Sequence, residues 1–202
     1  MMAGRPALAR FLPVLVGVAL LVVAHLLDPW AGHALRLPSA NDRDWGRLLR
    51  ILGFAPTWLA IAGLFWLESR DRSGPPERAA DLARTGWAIV IAVAVGGILA
   101  ELAKLLIRRE RPTAEFLGYQ FRSFADAPFS TRSLGMPSSH TAVAFAGAAV
   151  MARRYPRTAP LLLALAAGCG LTRVFAQAHY LSDVVGGALG GSAAGWWAGR
   201  RR

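Results

Sequence analysis

The chain has 202 residues, 54% of them hydrophobic and 17% charged, with a mean hydropathy of +0.38. That length suits one domain or two small ones, and the apolar excess excludes a disordered tail protein and a highly charged soluble binder. The single cysteine, Cys169, excludes an intrachain disulfide and a cysteine-based zinc site, while a net charge of +11 from 22 arginines and one lysine keeps nucleic acid, an anionic membrane surface and a phosphorylated substrate in play.

Taken in chain order, the apolar residues fall into long blocks. The runs 11–27 and 51–67 are each 17 residues without a charge. A third run, 86–100, continues in helical pattern through Glu101 and Lys104 to Ile107. Segments 141–152, 159–171 and 184–199 are apolar and rich in small residues. About 20 residues cross a bilayer core, and roughly 17 is the lower limit. The blocks therefore predict six transmembrane helices, at 11–28, 49–68, 86–107, 139–154, 158–176 and 181–199, in a single integral membrane domain spanning 1–202. The fold class is all-α, a six-transmembrane-helix bundle.

Arg5 and Arg10 ahead of the first block also suit the start of a cleaved signal peptide. The run is longer than a usual signal core, and no small-x-small site follows it, so a retained helix is the better reading. Ser73-Gly74-Pro75-Pro76 marks a turn in a charged loop. In the last helix, the pairs Gly186/Gly190, Gly187/Gly191 and Gly191/Gly195 repeat every four residues, which permits close helix packing. Trp196 and Trp197 suit a membrane boundary. With the N-terminus inside, 12 basic residues face inward and 11 outward, or 12 against 8 when Lys104, Arg111 and Arg173 are set aside as site residues. Both termini are accordingly expected in the cytoplasm. The basic residues form no single stripe, so nucleic acid is a poor partner.

Three short segments carry unusual polar residues for such a chain: 104–112 (KLLIRRERP), 137–140 (PSSH) and 172–183 (TRVFAQAHYLSD). The six-helix topology puts all three at one membrane face. Lys104 and Arg111 are seven residues apart and would share a face if the helix continued to Pro112. Lys104 is the only lysine, in a place where an ionisable group is costly; pairing with Glu101 or snorkelling is the plain alternative. Ser138, Ser139 and His140 open a helix, where backbone N–H groups attract anions, although ordinary capping explains the serines as well. His179 and Asp183 are four apart, so the carboxylate can orient the imidazole. Three cations, two histidines and an orienting acid are what metal-free phosphoryl transfer requires. Arg108, Arg109 and Arg122 are available to grip a second phosphate, though loop arginines are usually exposed and unspecific. The stretch 113–136 is long enough to cover the site.

The pattern K-x6-R-P, P-S-x-H, R-x5-H-x3-D resembles the type-2 phosphatidic acid phosphatase superfamily, integral membrane lipid phosphatases related in their active site to vanadium haloperoxidases. The resemblance implies that His179 is the nucleophile forming a phosphohistidine, Asp183 its orienting partner, and His140 the general acid. It implies phosphate binding by Lys104, Arg111, Arg173, Ser138 and the amide of Ser139, with no metal and no cofactor. Two positions depart from the family pattern. Ser139 stands where glycine is usual, which would weaken phosphate binding if the backbone there required glycine. Thr172 stands where serine is usual and keeps the hydroxyl.

The expected reaction is two-step hydrolysis of a lipid phosphate or polyprenyl diphosphate, with a bell-shaped pH profile. Undecaprenyl diphosphate, phosphatidylglycerophosphate, phosphatidic acid and lipid A 1-phosphate all fit as substrates. The bias to arginine suits a GC-rich bacterial genome. The charge count, together with the resemblance, implies a multi-pass protein of the bacterial inner membrane with a periplasmic site. Alternatives are a lipid phosphotransferase and a non-catalytic lipid-phosphate carrier or scaffold. A two-His, one-carboxylate metal site is disfavoured because three converging cations repel a divalent ion.

Overall fold

The computed structural model describes residues 7–71, 73–113 and 118–200. Arg5, Arg72, Arg201 and Arg202 of the charge count, and positions 114–117 of the long loop, lie outside the described residues. Seven α-helices follow in order: α1 (Ala7–Ala34), α2 (Asp44–Arg50), α3 (Ala55–Glu68), α4 (Pro76–Ile107), α5 (Ser139–Arg154), α6 (Ala159–Phe175) and α7 (Leu181–Ala198). Among the described residues the only β contacts are isolated bridges in the α4–α5 connection.

Among the described residues α1, α4 and α6 are long and apolar enough to cross a membrane, and the bent pair α2–α3 passes the same test when its two halves are taken together. The chain is an integral membrane protein. Phe11, Leu15, Val18, Val22 and Leu26 of α1 are all about half exposed or more, an arrangement that suits lipid as the solvent. The two shorter helices, α5 and α7, are rich in small residues and fill the centre.

The predicted helix 49–68 is broken, with a bend of 69° between α2 and α3. Its cause is local. Pro56 has no N–H, and its ring collides with the carbonyl four residues back, that of Leu52. The freed Leu52 oxygen instead accepts the Trp58 indole N–H at 2.7 Å, and Thr57 Oγ1 donates to the Ile51 oxygen at 2.8 Å. Gly53 lies in the bend because a Cβ there would stand 2.8 Å from His140 Cβ. The break thus lays the chain directly on the start of α5.

The glycine spacing in the last helix has a definite partner. A Cβ on Gly187, Gly191 or Gly195 would lie 2.4, 2.2 or 2.3 Å from the carbonyl oxygens of Ser138, Ala142 and Ala146 respectively. Backbone therefore rides on backbone along the α5–α7 seam. On the opposite face of α5, Trp58 covers Gly147. Helix α4 ends at Ile107, and Arg108 closes it in the left-handed region at φ 58 with its N–H on the Lys104 oxygen at 2.8 Å. Arg111 is therefore outside the helix and shares no helical face with Lys104.

Candidate active site

The C-terminal ends of α1, α4 and α6 and the N-terminal ends of α5 and α7 meet at one end of the bundle. All three polar segments lie there. His179 sits in the tight turn between α6 and α7, where the N–H groups of Ala178 and His179 both donate to the Arg173 oxygen, at 3.0 and 3.2 Å. Its Nδ1 faces Asp183 Oδ2 at 3.4 Å, a long contact that leaves the nitrogen without a well-formed hydrogen bond. The imidazole is 3% exposed. Burial pushes its pKa below the ordinary histidine value, against the opposing pull of Asp183. A narrow cleft lined by Asp28, Gly32, Gln177 and Tyr180 runs beside His179.

Asp183 is held from several sides. The Tyr180 N–H donates to Oδ2 at 2.9 Å as part of a capping box on α7. Arg109 clasps Oδ1 through Nε, at 3.1 Å, and through Nη2. The same guanidinium donates to Ser182 Oγ at 2.7 Å and lies over the adjoining Tyr119 and Tyr180 rings, 4.8 and 5.1 Å from their centroids. Gly135 completes the enclosure, since a Cβ there would meet Asp183 Oδ2 at 2.7 Å. From α1, Asp28 accepts the Ser182 N–H at 2.8 Å, the Ser182 hydroxyl, and the Tyr119 hydroxyl at 2.7 Å. Burial, reinforced by the Asp28 charge, raises the pKa of Tyr119 so that it remains a donor.

Sequence reasoning gives Asp28 no role and offers Arg109 only as a grip for a second phosphate. Their pairing joins positions 154 and 74 residues apart to the start of α7, and no local pattern announces it. The available signal was a lone acid directly after the charge-free run 11–27 and still inside α1. Arg108, Arg109 and Arg122 are correspondingly not free to grip a second phosphate. Arg108 is 1% exposed and donates to the carbonyls of Arg122, Ser123, Asp126 and Pro128. Arg122 pairs with Glu110 at 3.2 Å and donates to the Arg132 oxygen at 2.6 Å. These side chains tie residues 122–132 to the segment that follows α4.

The other flank of the site is looser. Lys104 Nζ donates to Ser139 Oγ at 2.5 Å and to Glu101 Oε1 at 2.6 Å, and the Ser139 hydroxyl also donates to Glu101. The ion pair with Glu101 and the approach to the α5 start therefore coexist. Ser139 is the first residue of α5 and does not take positive φ, so the backbone there needs no glycine. Ser138, fully buried, is the N-cap; its N–H donates to the Asp183 oxygen at 2.9 Å and its Oγ accepts from Thr141 at 3.1 Å. His140, half-buried, lies within electrostatic range of His179, Arg173, Arg50 and Lys104. Arg50, from the α2 end, is a cation the sequence reading did not place here. Arg111 is exposed, with Nε on the Leu134 oxygen at 3.3 Å, and lies within range of Arg173 and His179. Arg173 is 7% exposed, and its Nε has no hydrogen-bond partner among the described residues.

The eight sequence-predicted residues thus gather at one end. Among the described residues no three His, Cys, Asp or Glu side chains converge to hold a metal ion. An apolar groove of about 450 Å³, lined by Leu59, Val93, Ile98 and Leu102, runs between α3, α4 and α5 up to Glu101.

The profile of the PAP2 superfamily matches residues 85–201. The chain is 39% identical over 104 residues to the lipid A 1-phosphatase of Rhizobium johnstonii, covering 50% of this chain and 41% of that protein. It is 40% identical over 102 residues to the lipid A 1-phosphatase of Rhizobium etli, covering 49% and 43%. The chain thus spans about two fifths of the length of these curated relatives. The crystal structure of a transmembrane PAP2 type phosphatidylglycerolphosphate phosphatase from Bacillus subtilis superposes with a TM-score of 0.65, covering 93% of this chain and 94% of that one at 18% identity. That likeness is one of fold.

Proposed function

The chain belongs to the PAP2 superfamily, and from that premise we propose that it is a membrane-embedded phosphatase that hydrolyses a lipid phosphate through a phosphohistidine. The observation that carries the reading is the buried His179–Asp183 pair at the same end as His140, Lys104, Arg111 and Arg173. In the first step the free His179 nitrogen attacks phosphorus. The P–N bond forms as the bond to the lipid oxygen breaks, and His140 gives that oxygen its proton. In the second step His140 takes a proton from water, the hydroxide attacks phosphorus, and the P–N bond breaks to release inorganic phosphate and neutral His179. Lys104, Arg111 and Arg173, with the Ser138 hydroxyl and the Ser139 amide, bear the charge on the phosphoryl oxygens.

The apolar groove leading to Glu101 suits a lipid chain whose phosphate rests against Lys104. The curated relatives make lipid A 1-phosphate the first substrate to test. Charge bias puts the site on the periplasmic face of a bacterial inner membrane, where the headgroup reaches it from the outer leaflet.

The test is phosphate release by purified protein across a panel of lipid phosphates and diphosphates, with His179→Ala alongside. The variant is expected to lose on the order of 10⁴-fold or more in kcat, and vanadate is expected to inhibit the parent. Undiminished release by His179→Ala, or activity abolished by a chelator and restored by zinc, would refute the mechanism. Mass spectrometry of the products separates hydrolysis from transfer to a second lipid.

A further inference from the structure

At the end of the bundle away from the catalytic pair, α4 and α7 flank a groove of about 360 Å³. Its walls are Arg84, Trp87 and Ile91 of α4, Arg154 at the close of α5, and Trp197 and Arg200 at the end of α7. Arg84, Trp87 and Ile91 recur at spacings of three and four, so one stripe of α4 faces it. Arg154 is 4% exposed, with Nη1 donating to Asp81 Oδ1 at 3.1 Å and Thr85 Oγ1 at 3.2 Å. Above it, Arg84 and Arg200 are exposed, and their guanidinium groups form no hydrogen bond or ion pair with any described residue. Three guanidiniums therefore line one groove, with the Asp81 carboxylate contacting that of Arg154.

A topological bias toward basic residues accounts for arginines at this end but not for their sharing one groove. Arg153, next in the chain, shows the other solution: its Nη1 donates to the Trp196 oxygen at 2.6 Å and its guanidinium lies 4.2 Å from the Trp196 ring centroid. Trp87 and Trp197 are 58% and 52% exposed. Trp197 stands at the end of α7 and Trp87 shares the groove with it; exposed indoles mark the depth where hydrocarbon meets headgroups. A ligand that satisfies this groove brings an anion to Arg84 and Arg200 and hydrocarbon to Trp87 and Ile91.

We propose that the groove binds an anionic phospholipid of the leaflet opposite the catalytic mouth, its phosphate between Arg84 and Arg200 and its first methylenes along Trp87 and Ile91. Basic pockets between membrane helices hold such headgroups by combining charge with apolar contact.

The test is native mass spectrometry of the full chain titrated with phosphatidylglycerol or phosphatidylcholine. The parent is expected to retain phosphatidylglycerol preferentially. In the Arg84→Gln/Arg200→Gln variant its apparent affinity is expected to fall roughly tenfold, about 1.4 kcal/mol, with phosphatidylcholine retention unchanged. Both substitutions are at exposed positions away from the catalytic end. Because the catalytic mouth also attracts anions, His179→Ala and Arg111→Gln are carried in parallel and are expected to keep the preference. Equal retention of both lipids by the parent, loss of the preference in Arg111→Gln but not in the double variant, or full displacement by equimolar inorganic phosphate would overturn the proposal.

Discussion

The two flanks of the catalytic end are built differently. On the α7 flank, Asp28, Ser182, Arg109 and Asp183 are all buried and mutually hydrogen-bonded, and His179 is packed beside them. On the α4–α5 flank, Glu101 is 43% exposed at its side chain, Arg111 is exposed, and Arg173 Nε has no partner among the described residues. The first flank is finished before any substrate arrives, while the second has donor capacity to spare. Under the proposed mechanism, one flank preorganises the nucleophile and the other captures the anion. Substitutions on the first should act on kcat, and on the second mainly on KM.

Asp183→Asn should have the largest effect after loss of the nucleophile itself. By analogy with other carboxylate–imidazole pairs, kcat falls on the order of 10³- to 10⁴-fold. Asp183 raises the His179 pKa against burial, so its removal lowers that pKa further. The acid limb of kcat/KM, where protonation of His179 stops attack, should move to lower pH. A limb moving to higher pH would contradict the assigned roles.

Arg109→Gln comes next. It leaves two buried carboxylates without their shared cation, a change that costs about 3–5 kcal/mol when one partner of a buried pair is removed. Thermal unfolding reads that loss. Arg109→Lys separates positioning from charge: the ammonium keeps a positive charge but cannot span Asp183 Oδ1 and Ser182 Oγ as a planar fork does. Stability should recover in part while kcat stays low. Full recovery of kcat would reduce Arg109 to a counter-ion.

Glu101→Gln tests the open flank. Lys104 is released from its carboxylate, so KM should fall roughly 2- to 5-fold, in line with the worth of a partly exposed ion pair, with kcat little changed. A kcat loss as deep as that of Asp183→Asn would erase the distinction between the flanks. Ser139→Gly should change least, within about twofold of the parent, because Lys104 and Glu101 stay paired with each other when the hydroxyl between them is lost, and no backbone strain is relieved.

Much of this arrangement is legible in the chain. The apolar blocks mark the helices because lipid demands length and apolarity. The fourfold glycine spacing marks the α5–α7 seam because helical geometry puts such residues on one face. The three motif segments meet because an even number of crossings separates them. What escapes is carried by contacts between distant positions. Asp28 looks like the ordinary end of a span until Ser182 and Tyr119 are beside it. Arg109 looks like one loop arginine among several until Asp183 is in its grasp. The break at Gly53–Pro56 was legible in kind, since proline deletes one N–H and frees one carbonyl. That the Trp58 indole would take up the Leu52 carbonyl required the fold.

The glycine seam also sets a phase. With α7 locked carbonyl by carbonyl against α5, the angular position of Asp183 about its helix axis is fixed by Gly187, Gly191 and Gly195 further along. One residue inserted between Asp183 and Gly187 would swing the carboxylate about 100° round that axis. Such an insertion leaves hydropathy and motif residues intact, yet it would misalign the histidine and its acid as surely as deleting one of them.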